Sequence, residues 1–310
     1  MPRRRPGPDA SVARVAGPWD HRMVAANGAR FHVATMGDGP LVLLLHGFPE
    51  FWWAWRHQLP ALAEAGYRAA AMDLRGYGAS DKPPRGYDPL TLAADVAGVI
   101  RSLGSRDAVV VGHGLGGLVA WTVATVHDGQ VRRVAAVSAP HPRRLRTAHL
   151  TDLAQLRASR HVLGFQRPLV PERRLVAHEG ATVTRLLRLW SGPAWPDAEA
   201  EARYRQAVQI PGVAHCAMES YRWAVRSLPR TDGLRYARQM KTPVQVPTLL
   251  LHGELDTTVL PKSALGSGRY VEAPYRWRLL PGVGHFPHEE APDAFNAELL
   301  GWLADPEPEW

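Results

Sequence analysis

Residues 109–117 read VVVGHGLGG. A run of valines gives way to a turn crowded with small residues. An apolar stretch, LVAWTVATV over 118–126, follows at helical length. Strand, tight turn and helix together make the local pattern that presents a nucleophile in the motif G-x-Nu-x-G. The nucleophile position is 114, and it is occupied by Gly114, which has no side chain. A glycine-rich turn of this kind also occurs for close packing alone, so its meaning depends on what surrounds it.

Outward from the turn, strand-like and helix-like runs alternate. HRMVAA and RFHVATMG form an opening hairpin pair, and PLVLLLHG reads as a buried strand from its continuous apolar run. WRHQLPALAEAG reads as a helix ended by Gly66, and YRAAAMDLRGYG as the next strand and turn. TLAADVAGVIRSLG has helical spacing, with Thr91 as N-cap and Gly104 as its stop. DAVVVG and RRVAAVSAP bracket the 115–127 helix as strands. The rhythm breaks near residue 141. From 142 to 241 the chain is rich in arginine and aromatic residues, with helical periods and few strand signals. It resumes with PTLLLHGELD and YRWRLLPGVGH, and APDAFNAELLGWLA closes it as a helix. The expected fold is α/β, a mostly parallel sheet with helices on both faces. Its core spans 21–141 plus 242–304, and a helical cap, 142–241, is inserted in it. Residues 1–18 read as a loose tail.

The bulk properties exclude several classes. The chain has 310 residues, 45% of them hydrophobic, which suits a globular protein with a sizeable core. No apolar run is long enough to span a bilayer. The N-terminal basic residues are not followed by an apolar stretch of signal-peptide type. The single cysteine, Cys216, precludes an internal disulfide and fits a reducing cytoplasm. The net charge is +8, with lysine only at Lys82, Lys241 and Lys262. Arginines concentrate in 143–188, which gives the cap a basic surface, but no nucleic-acid-binding motif accompanies them. No metal-ligand spacing and no nucleotide-binding glycine motif appears, so neither a metal nor an organic cofactor is implied.

Three features fall in loops after strands, where open parallel sheets place their sites. They are the turn at 112–117, Asp256 in HGELDTTV, and His285 in PGVGHFPHEE. Nucleophile position, acid and histidine come in the chain order of the α/β-hydrolase triad. A fourth is HGFPEFWWAW over 46–55, whose turn offers the Phe48 N–H to an oxyanion hole, with the Leu115 N–H as second donor.

These segments resemble the epoxide hydrolases of the α/β-hydrolase superfamily, in an actinobacterial branch, over nearly all of 21–304. HGFPEFWWAWRHQLPALAEAGYRAAAMDLRGYGASDKP is close to that family's pattern, GHGLGG stands where the family has GHDWGG, and SAPHP at 138–142 matches the start of its cap. The resemblance implies that His285 is the water-activating base and Asp256 the carboxylate orienting it. It gives Phe48 and Leu115 the oxyanion-hole positions. MESYRWAV matches the segment carrying a lid tyrosine, so Tyr221 would hydrogen-bond the epoxide oxygen, and His161 takes the place of the second lid tyrosine. In the family an aspartate at 114 attacks the epoxide and forms an ester that activated water cleaves. Asp107 is the sole carboxylate in 103–127, at the far end of the strand. Gly114, Leu115 for tryptophan and His161 for tyrosine depart from the pattern together, which points to natural divergence.

Two functions follow. One is an enzyme in which His285 activates water directly onto a small hydrophobic epoxide or related electrophile. The other is a catalytically inactive binder of a small hydrophobic molecule, with Trp52, Trp53, Trp121, Trp190 and Trp223 as candidate lining. The retained Asp256–His285 pair favours chemistry. Haloalkane dehalogenation needs the missing aspartate and a tryptophan at 115.

Overall fold

The computed structural model describes residues 7–306. Eight strands form one sheet in the order β1-β2-β4-β3-β5-β6-β7-β8. β1 (Asp20–Ala26) and β2 (Ala29–Met36) make an antiparallel hairpin, and β2 runs antiparallel to β4 (Arg68–Met72). β3 (Leu41–Leu45), β5 (Ala108–His113), β6 (Val131–Val137), β7 (Thr248–Gly253) and β8 (Tyr275–Leu280) continue in parallel register. Every residue of β3, β5 and β7 is buried. Such continuous apolar runs are stable only where both sheet faces are covered. α1 (Gln58–Glu64), α2 (Pro89–Ser102) and α3 (Leu115–Val126) pack on β4, β1 and β5–β6 respectively.

Between β6 and β7 the chain forms eight α-helices and no named strand. They are α4 (Pro142–Thr151), α5 (Leu153–Ala158), α6 (Arg160–Gly164), α7 (Val170–Val176), α8 (Ala181–Trp190), α9 (Ala198–Gln209), α10 (Val213–Arg226) and α11 (Thr231–Gln239). α12 (Pro261–Ala264), α13 (Pro287–Glu290) and α14 (Pro292–Leu303) follow the last strands, and α14 packs on β8.

Two local expectations are corrected. α2 starts three residues before the sequence reading placed it. Pro89 supplies the preset first-turn φ, and Asp88 caps the helix by accepting the Thr91 N–H at 3.0 Å, so Thr91 lies inside it. Residues 7–18 are not a loose tail. A short 3₁₀ turn (Ala10–Ala13) is capped by Asp9, Ala13 is buried, and its carbonyl accepts the Trp52 indole N–H at 2.6 Å. Residues 1–6 lie outside the described residues. Among those described, no helix is long and apolar enough to cross a membrane.

Candidate active site

The turn between β5 and α3 is forced tight by its glycines. A Cβ at Gly116 would collide with the backbone oxygens of Leu45 and His46, and one at Gly117 with the Ala139 side chain. Gly114 differs. Its φ of 51° and ψ of −112° lie in a region that strains an L-residue, but the space beside it is open. A Cβ there would meet only Gly47 Cα and His285 Nε2, each at 3.7 Å. Glycine is therefore demanded at 116 and 117 by packing, and favoured at 114 by backbone conformation alone.

His285 and Asp256 follow the ends of β8 and β7. His285 Nδ1 lies 2.7 Å from Asp256 Oδ2. The other carboxylate oxygen accepts the N–H groups of Thr258 and Val259 at 2.8 and 3.0 Å, and the Thr258 hydroxyl at 3.0 Å. Burial alone would raise the Asp256 pKa, but His285 and His252 beside it outweigh burial and hold the carboxyl far below the usual carboxylate range. The ionised carboxylate fixes the imidazole with its proton on Nδ1, which leaves Nε2 as acceptor toward Gly114. The cap joins this frame: the Trp190 carbonyl accepts the His285 N–H at 2.8 Å. Buried Gln155 of α5 brackets the acid loop, donating to the Thr258 carbonyl at 2.8 Å and accepting the Leu260 N–H at 2.9 Å.

Over Gly114 lies a cavity of about 140 Å³ between core and cap. Phe48, Gly114, Leu115, Ser138, Thr258 and His285 line its core side, and Leu145, His149, His161, Val162, Trp190 and Tyr221 are among its cap residues. Phe48 and Leu115, the candidate oxyanion donors, both border it. Tyr221 packs edge-on to Phe48 and Phe165, and burial raises its pKa, so the phenol stays protonated. Burial lowers the His161 pKa to about 4, so that ring is neutral near pH 7.

The structure does not bring Trp52 and Trp53 to this cavity. Only Phe48 of their loop points there. The 3₁₀ turn Trp52–Trp55 directs its indoles into the core, where burial of their large apolar faces outweighs exposure in a small cavity. Trp52 packs on Trp19 and His21, and Trp53 lies under the Arg56 guanidinium, 3.7 Å from ring centroid. Trp121 is fully buried with its N–H on the Ala139 carbonyl, and Trp223 bonds Asp232; of the five candidates only Trp190 lines the cavity. Asp107 sits at the opposite strand end, paired with Arg132 at 2.5 Å.

Sequence reading missed Gln155, Thr258 and Ser138. Ser138 directly follows β6 with φ 50°, and its buried hydroxyl has no hydrogen-bond partner while lining the cavity. A third grouping lies behind the elbow. Glu50 accepts from His113 Nδ1 at 2.7 Å and from the Gly47 N–H at 3.0 Å, and His288 Nε2 is 3.1 Å from its other oxygen. Their three ligand atoms are close enough to hold an ion. Hydrogen bonding already engages His113: its Nδ1 faces Glu50 and its Nε2 the His285 carbonyl at 2.8 Å, so both its nitrogens meet acceptors. Burial disfavours a charged ring, but Glu50 outweighs it and raises the His113 pKa. Glycine, glutamate and histidine spacing in HGFPE and GHG carried this signal, readable only once the two turns are known to touch.

Comparison with known proteins agrees with this architecture. Residues 40–292 match the family model described as the alpha/beta hydrolase fold. Epoxide hydrolase 3 of Xenopus tropicalis is 33% identical over 97% of this chain and 82% of that protein. Epoxide hydrolase A of Mycobacterium tuberculosis is 30% identical over 91% of this chain and 96% of that protein. The crystal structure of a Bacillus megaterium epoxide hydrolase with an inhibitor superposes with a TM-score of 0.81 at 26% identity, covering 91% of this chain and 99% of that one. With sheet order, turn and histidine–carboxylate pair all in place, the chain belongs to the epoxide-hydrolase branch of the α/β hydrolase family.

Proposed function

We propose that this protein hydrolyses a small apolar epoxide, or an electrophile of similar shape, by direct attack of water activated by His285. The observation that carries this reading is the open space beside Gly114, bounded by His285 Nε2 at 3.7 Å from where a Cβ would stand. A water near that point donates one proton to Nε2 as its oxygen bonds to the epoxide carbon. The ring C–O bond breaks, and its electron pair passes to the alkoxide oxygen, which accepts the Tyr221 O–H. The imidazolium, stabilised by Asp256, returns its proton through solvent to the alkoxide, and the sum is addition of one water to give a diol. Phe48 and Leu115 border the same cavity, and the Ser138 hydroxyl, also in its lining, is free to orient the attacking water. The cavity of about 140 Å³ limits the substrate to roughly one aromatic ring, since a cavity of about 150 Å³ holds benzene.

Single-turnover hydrolysis of small aryl and alkyl epoxides in ¹⁸O-water tests this reading. Direct attack places solvent oxygen in every diol of the first turnover, and His285→Gln removes that turnover. The competing reading, an inactive binder, draws on the missing side chain at 114. Saturable binding of the same epoxides without diol above the buffer rate would establish it.

A further inference from the structure

The helices that line the cavity from the cap carry a second face. α4 and α5 pack on one another, as do α5 and α6. Inward they present Leu145, His149, His161 and Val162 to the cavity. Outward they leave Leu150, Leu153, Leu156 and Leu163 exposed at 79, 70, 45 and 62%. Four such leucines within fourteen residues are unusual for a surface with no partner. Arg143, Arg146, Arg157, Arg160 and Arg167 are exposed among them. Residues 143–167 hold six arginines against one aspartate, a formal +5 of the chain's +8. Asp152 is itself neutralised by Lys262 at 2.8 Å, and none of the five exposed arginines has a carboxylate within 4.0 Å among the described residues.

From this pairing of exposed leucines with unneutralised arginines, we infer that the α4–α6 face docks on an anionic lipid bilayer. Charge selects the partner. Two copies meeting through this face would oppose like charges across their contact. A nucleic acid would satisfy the arginines but leave the leucines against phosphates, and no aromatic side chain is exposed there for base stacking. An anionic bilayer satisfies both, with arginines at the headgroups and leucines in the acyl boundary. Docking would set the cavity beside the phase in which small apolar molecules concentrate. It would also bear on the site, because Leu153 and Leu156 flank Gln155, which clamps the loop after Asp256. This inference stands apart from the reaction proposed above and holds for enzyme or binder.

The test is co-sedimentation of the full chain with vesicles of equimolar phosphatidylcholine and phosphatidylglycerol, against vesicles of phosphatidylcholine alone. Binding is expected to the anionic vesicles, weakening steeply in about 0.5 M NaCl. Each arginine near such a surface is worth about fivefold, so Arg146→Gln, Arg157→Gln and Arg160→Gln together should weaken binding roughly 100-fold. Leu150→Ser, Leu153→Ser and Leu163→Ser together should weaken it at least ~10-fold with melting temperature unchanged. Absence of vesicle binding overturns the inference, and so does binding that the leucine variant keeps in full. Self-association abolished by the leucine variant, or retention on duplex DNA, in either case without vesicle binding, would assign the face to a second copy or to nucleic acid instead.

Discussion

Gly114→Asp separates a site that lacks only its nucleophile from one rebuilt for another purpose. The new Cβ has no contact closer than 3.7 Å, so it enters without displacing its neighbours. Its cost is conformational: at φ 51° an aspartate loses roughly 1–2 kcal/mol relative to glycine. For a chain of this size that is a fall in melting temperature of roughly 1.5–3 °C. The carboxylate extends from a point 3.7 Å from His285 Nε2, in the cavity that Phe48 and Leu115 also line. Attack then becomes intramolecular with respect to the bound epoxide. Nucleophile removal from a coupled triad costs up to ~10⁶ in turnover, and residual catalysis recovers part of that, so a rise of roughly 10³-fold is expected. The assay is diol formation from small epoxides, with intact-mass analysis of a Gly114→Asp, His285→Gln variant incubated with the same epoxides. That variant should accumulate an adduct of the epoxide's mass, because its ester forms but is not hydrolysed. Gly114→Ala carries the same backbone strain without a carboxylate, and it should lower turnover by filling the space beside Nε2. Folded variants giving neither extra diol nor adduct would refute the reasoning.

Other expectations follow from single contacts. Asp256→Asn should cut turnover ~10²–10⁴-fold, since its amide no longer enforces the Nδ1–H tautomer, and a kcat profile against pH reads this directly. Tyr221→Phe should lower kcat roughly 10–100-fold with little change in epoxide binding measured by calorimetry, because the phenol acts on the opening ring. His161→Gln should flatten the acid limb of stability. The folded ring titrates near 4 and the unfolded ring near 6.5, so His161 contributes fully above pH 6.5 and loses its contribution as pH falls to about 4. The native protein should lose about 1–3 kcal/mol more than the variant across that window, followed by urea midpoints at each pH. Gly116→Ala should cost about 3 kcal/mol or more, or prevent folding, because its Cβ meets backbone oxygens that have no room to move.

What the sequence made legible were features repeated over several residues. The buried strands announced themselves as unbroken apolar runs, and the order of turn, acid and histidine brought three distant loops to one end of the sheet. The tryptophans misled because hydrophobicity tells that an indole is buried, not which side of a loop buries it. Phe48 faces the cavity and Trp52 the core although only three residues separate them. Gln155, Thr258 and Ser138 were invisible for another reason. Each acts through hydrogen bonds or a cavity-facing hydroxyl set by tertiary contact, and a single polar residue leaves no period to read. The N-terminal residues failed as a composition argument: proline, glycine and arginine suggested a tail, yet the Ala13 carbonyl accepts from a buried indole 39 residues further along the chain.

The same contacts bear on enzyme against binder. Asp256 is buried, ionised and held by two backbone N–H groups, the Thr258 hydroxyl and His285. A buried ion of this kind is stable only while every partner remains, and an apolar replacement of similar volume is commonly neutral or stabilising. A cavity needed only to hold an apolar molecule would lose nothing by that replacement. Gly114, by contrast, relieves backbone strain at 114. Of the two ways this site differs from a plain apolar pocket, one costs stability and has been kept, and the other gains stability at the expense of the covalent step. A base oriented at such cost and opening onto the space beside Gly114 is what the proposed attack of water requires. That asymmetry is why the ¹⁸O experiment, rather than a binding assay alone, is the measurement that decides the function.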